Sequence, residues 1–150
     1  MEQVNVKVKK LDERAVIPTY AHDGDMGMDI TAIDYEYDKY LDCFIYHTGL
    51  AFAIPKGYGM LIFPRSSNRK TDHYFPNSVG VIDSGYRGEV LVCFKNRDMR
   101  AMLRSANPPY QVGDRIAQLV VIPYPKTVFI ETDVLDETER GTGGHGSTGN

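Results

Sequence analysis

Gly49–Arg65 reads GLAFAIPKGYGMLIFPR, two apolar runs on either side of PKGY. Each run is too short for an ordinary helix and is closed by glycine or proline, so the stretch predicts two strands joined as a hairpin. The same punctuation recurs outward from it. SVGVI (78–82) and EVLVCF (89–94) flank DSGYRG as a second pair, and RIAQLVVI (115–122) and TVFIETDVL (127–135) flank PYPK as a third. Near the N-terminus, Val4, Val6 and Val8 alternate with Asn5, Lys7 and Lys9, the period of a half-buried strand. DITAIDYEYDKYLD (29–42) mixes periods, but its β-branched and aromatic residues lean towards strand. RDMRAMLRSA (97–106) is the remaining helix candidate, ending against NPPYQVGD. Short strands with frequent Gly and Pro predict an all-β sandwich or barrel.

At 150 residues the chain predicts a single domain, 1–150, able to bury a core without cross-links. Hydrophobic content of 42% and charged content of 25% are ordinary for a soluble globular protein. No window has the length of an apolar membrane span, and MEQVNVKVKK lacks a signal-peptide core, so a cytoplasmic location is expected, without membrane contact. Cys43 and Cys93 lie in apolar runs without C-x-x-C spacing and read as buried free thiols. A net charge of −3 argues against bulk binding of nucleic acid and leaves room for a local cationic site.

Five clusters carry candidate chemistry. GDMGMDITA (24–32) sets glycines around Asp25 and Asp29; alone it is a turn before a strand. PRSSNRK (64–70) follows an apolar run and offers a forked guanidinium and two serine hydroxyls to an anion, or else is a solvated turn. NSVGVIDSGYRGE (77–89) exposes Asp83 and Tyr86, a carboxylate able to take a proton from water and a ring able to lie against a sugar or base. The plainer reading is a stable hairpin with Asp83 capping its turn. In GDRIAQLVV (113–121), strict alternation puts Arg115 and Gln118 on opposite strand faces. RGTGGHGSTGN (140–150) contains a G-x-G-x-x-G spacing but lacks the strand before it and the helix after it that dinucleotide binding needs. Its glycines predict mobility unless a ligand rewards ordering. His22, His47, His73 and His145 show no metal-ligand spacing.

Taken in this order, the clusters closely resemble the five motifs of the trimeric dUTP pyrophosphatase (dUTPase) family, across nearly the whole chain. GVIDSGYRGE and RGTGGHGSTG are the specific ones. The resemblance implies a jelly-roll β core, about 1–138, with a flexible glycine-rich arm, 139–150. It implies homotrimers with active sites at subunit interfaces, and hydrolysis of dUTP to dUMP and pyrophosphate by water attack at the α-phosphorus, with Mg²⁺ on the triphosphate. Such an enzyme keeps uracil out of DNA and supplies dUMP for thymidylate synthesis; no direct contact with nucleic acid is implied.

By matched position, Asp83 orients and activates the water, with Arg65 and Gln118 completing the catalytic set. Tyr86 stacks on deoxyribose, and Asn77 with the backbone of Gly80, Val81 and Ile82 reads uracil. Arg65, Ser66, Ser67, Gln118, Arg140, Gly146, Ser147 and Thr148 hold the phosphates, and Asp29 lies near the metal's water shell. His145 stands where the family usually has a phenylalanine that stacks on uracil, and the 95–112 segment is longer and more basic than the family requires. A dCTP deaminase-like relative, or a regulatory protein that keeps this fold, are the alternatives. Tyr86, where such deaminases carry Trp, and the full arm favour the dUTPase reading.

Overall fold

A computed structural model describes residues 3–97 and 107–144. Among them lie ten strands: β1 Lys7–Lys10, β2 Met28–Thr31, β3 Asp34–Asp38, β4 Cys43–His47, β5 Leu50–Ala53, β6 Tyr58–Pro64, β7 His73–Tyr74, β8 Gly80–Ile82, β9 Leu91–Asn96 and β10 Arg115–Pro123. The single helical element among the described residues is a 3₁₀ turn, Ser66–Lys70. Every pairing is antiparallel. The strands form a β1-β5 ribbon, a four-stranded sheet in the order β2-β10-β6-β8 and a second in the order β3-β4-β9-β7. This is the all-β, jelly-roll class that the sequence predicts.

Both four-stranded sheets contribute to one core: Ile30, Met60, Ile62, Ala117 and Leu119 from the first, Phe44, Tyr46, Val92 and Phe94 from the second. Aromatic rings fill its centre edge to face, with Tyr46 against Phe94 at 5.7 Å and Phe75 against Phe94 at 4.9 Å. Such pairs add to the transfer energy of burying large rings. The buried Tyr46 hydroxyl is satisfied there: it donates to Tyr110 O (2.8 Å) and accepts from Tyr110 N (3.0 Å). Burial pushes this phenol well above its ordinary pKa, so it remains a donor.

The three predicted hairpins are not hairpins. PKGY does make a tight turn, with Gly57 at φ 86 and Tyr58 N–H donating to Pro55 O (3.2 Å). Yet β5 pairs with β1 while β6 pairs with β8 and β10, so the turn carries the chain from one sheet to another. DSGYRG likewise links β8 in the first sheet to β9 in the second. Apolar runs separated by a turn are the same in a hairpin and in a corner between sheets, which is why the sequence pattern misassigns both. TVFIETDVL forms no strand: Thr127–Leu135 is exposed, with Phe129 at 93% and Ile130 at 86%. The helix predicted over 97–106 falls, beyond Arg97, outside the described residues.

DITAIDYEYDKYLD supplies β2 and β3, as its residue types predict. Cys43 is buried, Cys93 half-buried, and both are free thiols that burial pushes up in pKa.

Candidate functional site

Strand β10 gathers the first, second and fourth sequence clusters. Gln118 sits in register with Asp29 of β2 on one side and Phe63 of β6 on the other, so Arg65, just past the end of β6, arrives beside them. Arg65 donates from Nε to Asp29 Oδ1 (2.7 Å) and from Nη2 to Asp29 Oδ2 (3.3 Å), while Arg115 Nη1 reaches the same Oδ2 at 3.2 Å. Arg65 Nη1 also donates to Arg115 O (3.2 Å) and approaches Ser67 Oγ (3.4 Å). Two guanidiniums thus converge on one carboxylate, leaving a local excess of positive charge and unused donors suited to a polyanion.

Strict alternation places Arg115 and Gln118 on opposite faces; the structure puts them on the same one. The register shifts between Arg115 and Ala117, so Arg115 opposes Thr31 and Gln118 opposes Asp29. Residues facing each other across an antiparallel pair share a face, as do Asp29 and Thr31, and the bulge therefore turns Arg115 towards Asp29. Gly27 lies against this cluster: a Cβ there would come within 3.1 Å of Gln118 Oε1.

The third cluster builds a separate cleft of about 240 Å³, lined by Val81, Ile82, Asp83, Tyr86, Glu89 and Leu91. Strand β8 pairs with β6 on one side only, which leaves the other edge of its backbone open among the described residues. Gly80 lets the two strands pack closely there, since a Cβ would sit 3.1 Å from Ile62 Cβ. Asn77 is exposed at the turn before it, where Val79 N–H donates to Asn77 O (2.6 Å) and Ser78 has φ 61.

Asp83 holds the following loop through its backbone carbonyl, which accepts Tyr86 N–H at 3.1 Å. Its exposed carboxylate bonds nothing among the described residues. The Tyr86 hydroxyl donates to Glu89 O (3.0 Å), and its ring covers Gly88, where a Cβ would collide with the phenol. Arg87 fastens the loop by donating from Nη1 to Ser84 O and Tyr86 O, each at 2.7 Å.

Of the sequence-predicted residues, one cluster brings together Asp29, Arg65, Ser67 and Gln118, with Ser66 exposed at the start of the 3₁₀ turn. The cleft brings together Val81, Ile82, Asp83 and Tyr86. The two sets do not meet. Ile82 pairs with Met60 near one end of β6 while Arg65 follows its other end, a backbone separation of about 17 Å at the usual rise per residue. Arg140 is exposed and turns back on its own segment, Nε donating to Gly143 O (3.0 Å). His145, Gly146, Ser147 and Thr148 lie outside the described residues.

Two residues to which the motif reading gave no role stand in these sites: Arg115, which it set on the opposite face from Gln118 and whose place depends on a bulge, and Glu89, whose side chain the spacing alone gave no reason to select. No group of three or more His, Cys, Asp or Glu side chains suited to a metal ion occurs among the described residues. Among them, too, no helix is long and apolar enough to cross a membrane.

The dUTPase family model matches residues 13–149. A deoxyuridine 5′-triphosphate nucleotidohydrolase of Nocardia farcinica is 40% identical over 145 residues, covering 96% of this chain and 85% of the relative. One from Helicobacter pylori is 37% identical over 147 residues, covering 97% of each. Among solved structures, a mutant dUTPase of Staphylococcus bacteriophage 80alpha with dUpNHpp superposes with a TM-score of 0.81 at 25% identity, covering 99% of this chain and 100% of that one. A mutant dUTPase from phage phi11 of S. aureus, whose structure concerns the coordination of a structural Mg(II) ion, gives 0.71 at 25% identity, over 87% and 98% of the two chains.

Proposed function

The chain belongs to the dUTPase family and is a dUTP diphosphatase, and we propose that it acts as a homotrimer whose sites combine the two clusters from different subunits. The observation that carries this reading is their separation: along β6, the cationic Arg65–Asp29–Arg115 group and the Asp83–Tyr86 cleft lie about 17 Å apart in one chain. A bound nucleoside triphosphate needs both at once, so a neighbouring copy supplies the missing half. The exposed apolar stretch Val128–Ile130, with Val134 and Leu135, is consistent with a chain that buries further surface on assembly.

In this reading the open backbone edge of β8 pairs with the polar edge of uracil, with Asn77 beside it, and the Tyr86 ring underlies the deoxyribose. Arg65, Ser66, Ser67 and Gln118 of the neighbour take the phosphates, and Arg140 with His145 to Thr148 completes the enclosure. Asp83, exposed and unpaired among the described residues, holds the attacking water in line with the α-phosphorus and accepts its proton.

Two guanidiniums around a single carboxylate make a donor set that suits a triphosphate carrying its own cation. Asp29, with three of its roughly four acceptor sites taken by the two arginines, retains one on Oδ1 for metal-bound water. Mg²⁺ bound with the triphosphate would neutralise developing charge on the phosphate oxygens.

The test is Asp83→Asn with dUTP and Mg²⁺. Turnover should fall at least about a hundredfold because an amide is no base, while the affinity for dUpNHpp stays within about threefold. Equal losses of binding and turnover would make Asp83 structural.

A further inference from the structure

Glu89 stands between the nucleoside cleft and a second, polar one lined by Asp12, Arg14, Asp34, His47 and Gly49 among others. Its carboxylate spans the turn between β4 and β5: Oε1 accepts Gly49 N–H at 2.7 Å, and Oε2 lies 3.1 Å from His47 Nδ1. The side chain of Glu89 is 26% exposed and that of His47 34%, so the pair is partly shielded from water. Gly49 has φ 65, and a Cβ there would strike Ile33 Cδ1 at 2.6 Å and Ala15 Cβ at 2.9 Å, so the partner of Glu89 is itself rigidly seated.

The same residue carries the tyrosine. The peptide between Glu89 and Val90 donates its N–H to Leu50 O (2.9 Å), and its carbonyl accepts the Tyr86 hydroxyl (3.0 Å). Thr48 Oγ1 donates to Val90 O at 2.7 Å. A chain of contacts therefore runs from the buried start of β5, through the side chain and peptide of Glu89, to the Tyr86 ring.

We propose that Glu89, oriented by His47, is a positioning residue for sugar discrimination: it fixes the peptide on which the Tyr86 hydroxyl rests, and so the ring's distance from the 2′ position of the nucleotide. The inference rests on the reading of Tyr86 as the sugar-facing ring. Without the Glu89 carboxylate the peptide is held from one side only, and the ring gains freedom to make room for a 2′-hydroxyl. The effect falls on the choice between dUTP and UTP, and much less on the shared phosphate chemistry.

The experiment compares kcat/KM for dUTP and UTP in wild type, Glu89→Ala, Glu89→Gln, His47→Ala, Tyr86→Phe, Tyr86→Ala and the Glu89→Ala/Tyr86→Phe double variant. Glu89→Ala and Tyr86→Phe should each lower the dUTP/UTP ratio about fivefold, the scale of one hydrogen bond. The double variant should be no worse than either single one, because both cut the same chain of contacts. Glu89→Gln should restore most of the ratio, since its amide oxygen still accepts Gly49 N–H, and His47→Ala should give a smaller drop.

The inference is overturned if Glu89→Ala lowers Tm and overall activity but keeps the ratio while Tyr86→Ala loses it. Should Glu89→Ala fail to fold, Tyr86→Phe and His47→Ala still decide, because an unchanged ratio in both overturns it. If Tyr86→Ala itself leaves the ratio unaltered, the sugar-facing reading of Tyr86 falls first, and this inference with it.

Discussion

His73 is a buried imidazole, 7% exposed, with neither ring nitrogen hydrogen-bonded among the described residues, packed against the Phe44 ring at 5.9 Å. Burial holds its pKa below the ordinary value of 6.5, and the nearby Asp72 charge offsets this only in part. The unfolded chain therefore binds a proton in a range of pH where the folded one does not. Stability from this group is complete above the unfolded pKa, near 6.5, and is lost as pH falls below it towards the folded pKa. His73→Leu, of similar volume and without ionisation, should flatten that dependence. Thermal melts of the two proteins should differ in their change of Tm between pH 8 and pH 5, wild type losing more than the variant. Parallel pH curves would show that the imidazole is freely hydrated.

The Asp83–Val90 link is the element in which fold and site are least separable. It carries the chain from the first sheet to the second, and Arg87, Tyr86 and Glu89 all spend their polar atoms holding it there. Gly88 is the point of closest approach, where a Cβ would sit 2.6 Å from Tyr86 Cζ. The backbone at Gly88 is not in the left-handed region, so an alanine there should fold, and the exposed tip of the tyrosine should swing outward to admit it. Gly88→Ala is expected to keep Tm within about 2 °C and to weaken binding of dUMP about tenfold by calorimetry; unchanged affinity would mean that the ring does not line the nucleoside site.

The same link shows what was legible in sequence. DSGYRG announces a turn and displays Asp83 and Tyr86, yet nothing in it distinguishes a hairpin from a corner between sheets, because that depends on which partners β8 and β9 find elsewhere. Arg115 and Gln118 teach the same lesson in reverse: both were visible, but the bulge that puts them on one face arises from pairing with β2, not from local spacing. Glu89 escaped notice because its partners, His47 and Gly49, lie some forty positions away.

At the scale of the whole molecule, the pairing of β8 with β6 sets the constraint that matters most. It directs Asp83 and Arg65 towards opposite ends of β6. In the proposed trimer, a symmetric ring joined by one repeated contact, each subunit would lend its cationic end to the next subunit's cleft. Such sharing has a quantitative signature. Asp83→Asn and Arg65→Ala homotrimers should each be nearly inactive. Unfolded together at equal concentration and refolded, they should assemble at random, and a site works only when the cleft comes from an Arg65→Ala chain and the cationic cluster from an Asp83→Asn chain. About a quarter of the sites meet that condition, so the mixture should recover roughly 25% of wild-type turnover per site. Sites confined to single chains would leave the mixture no more active than the sum of its parts, and the separation of the two clusters would then need another explanation.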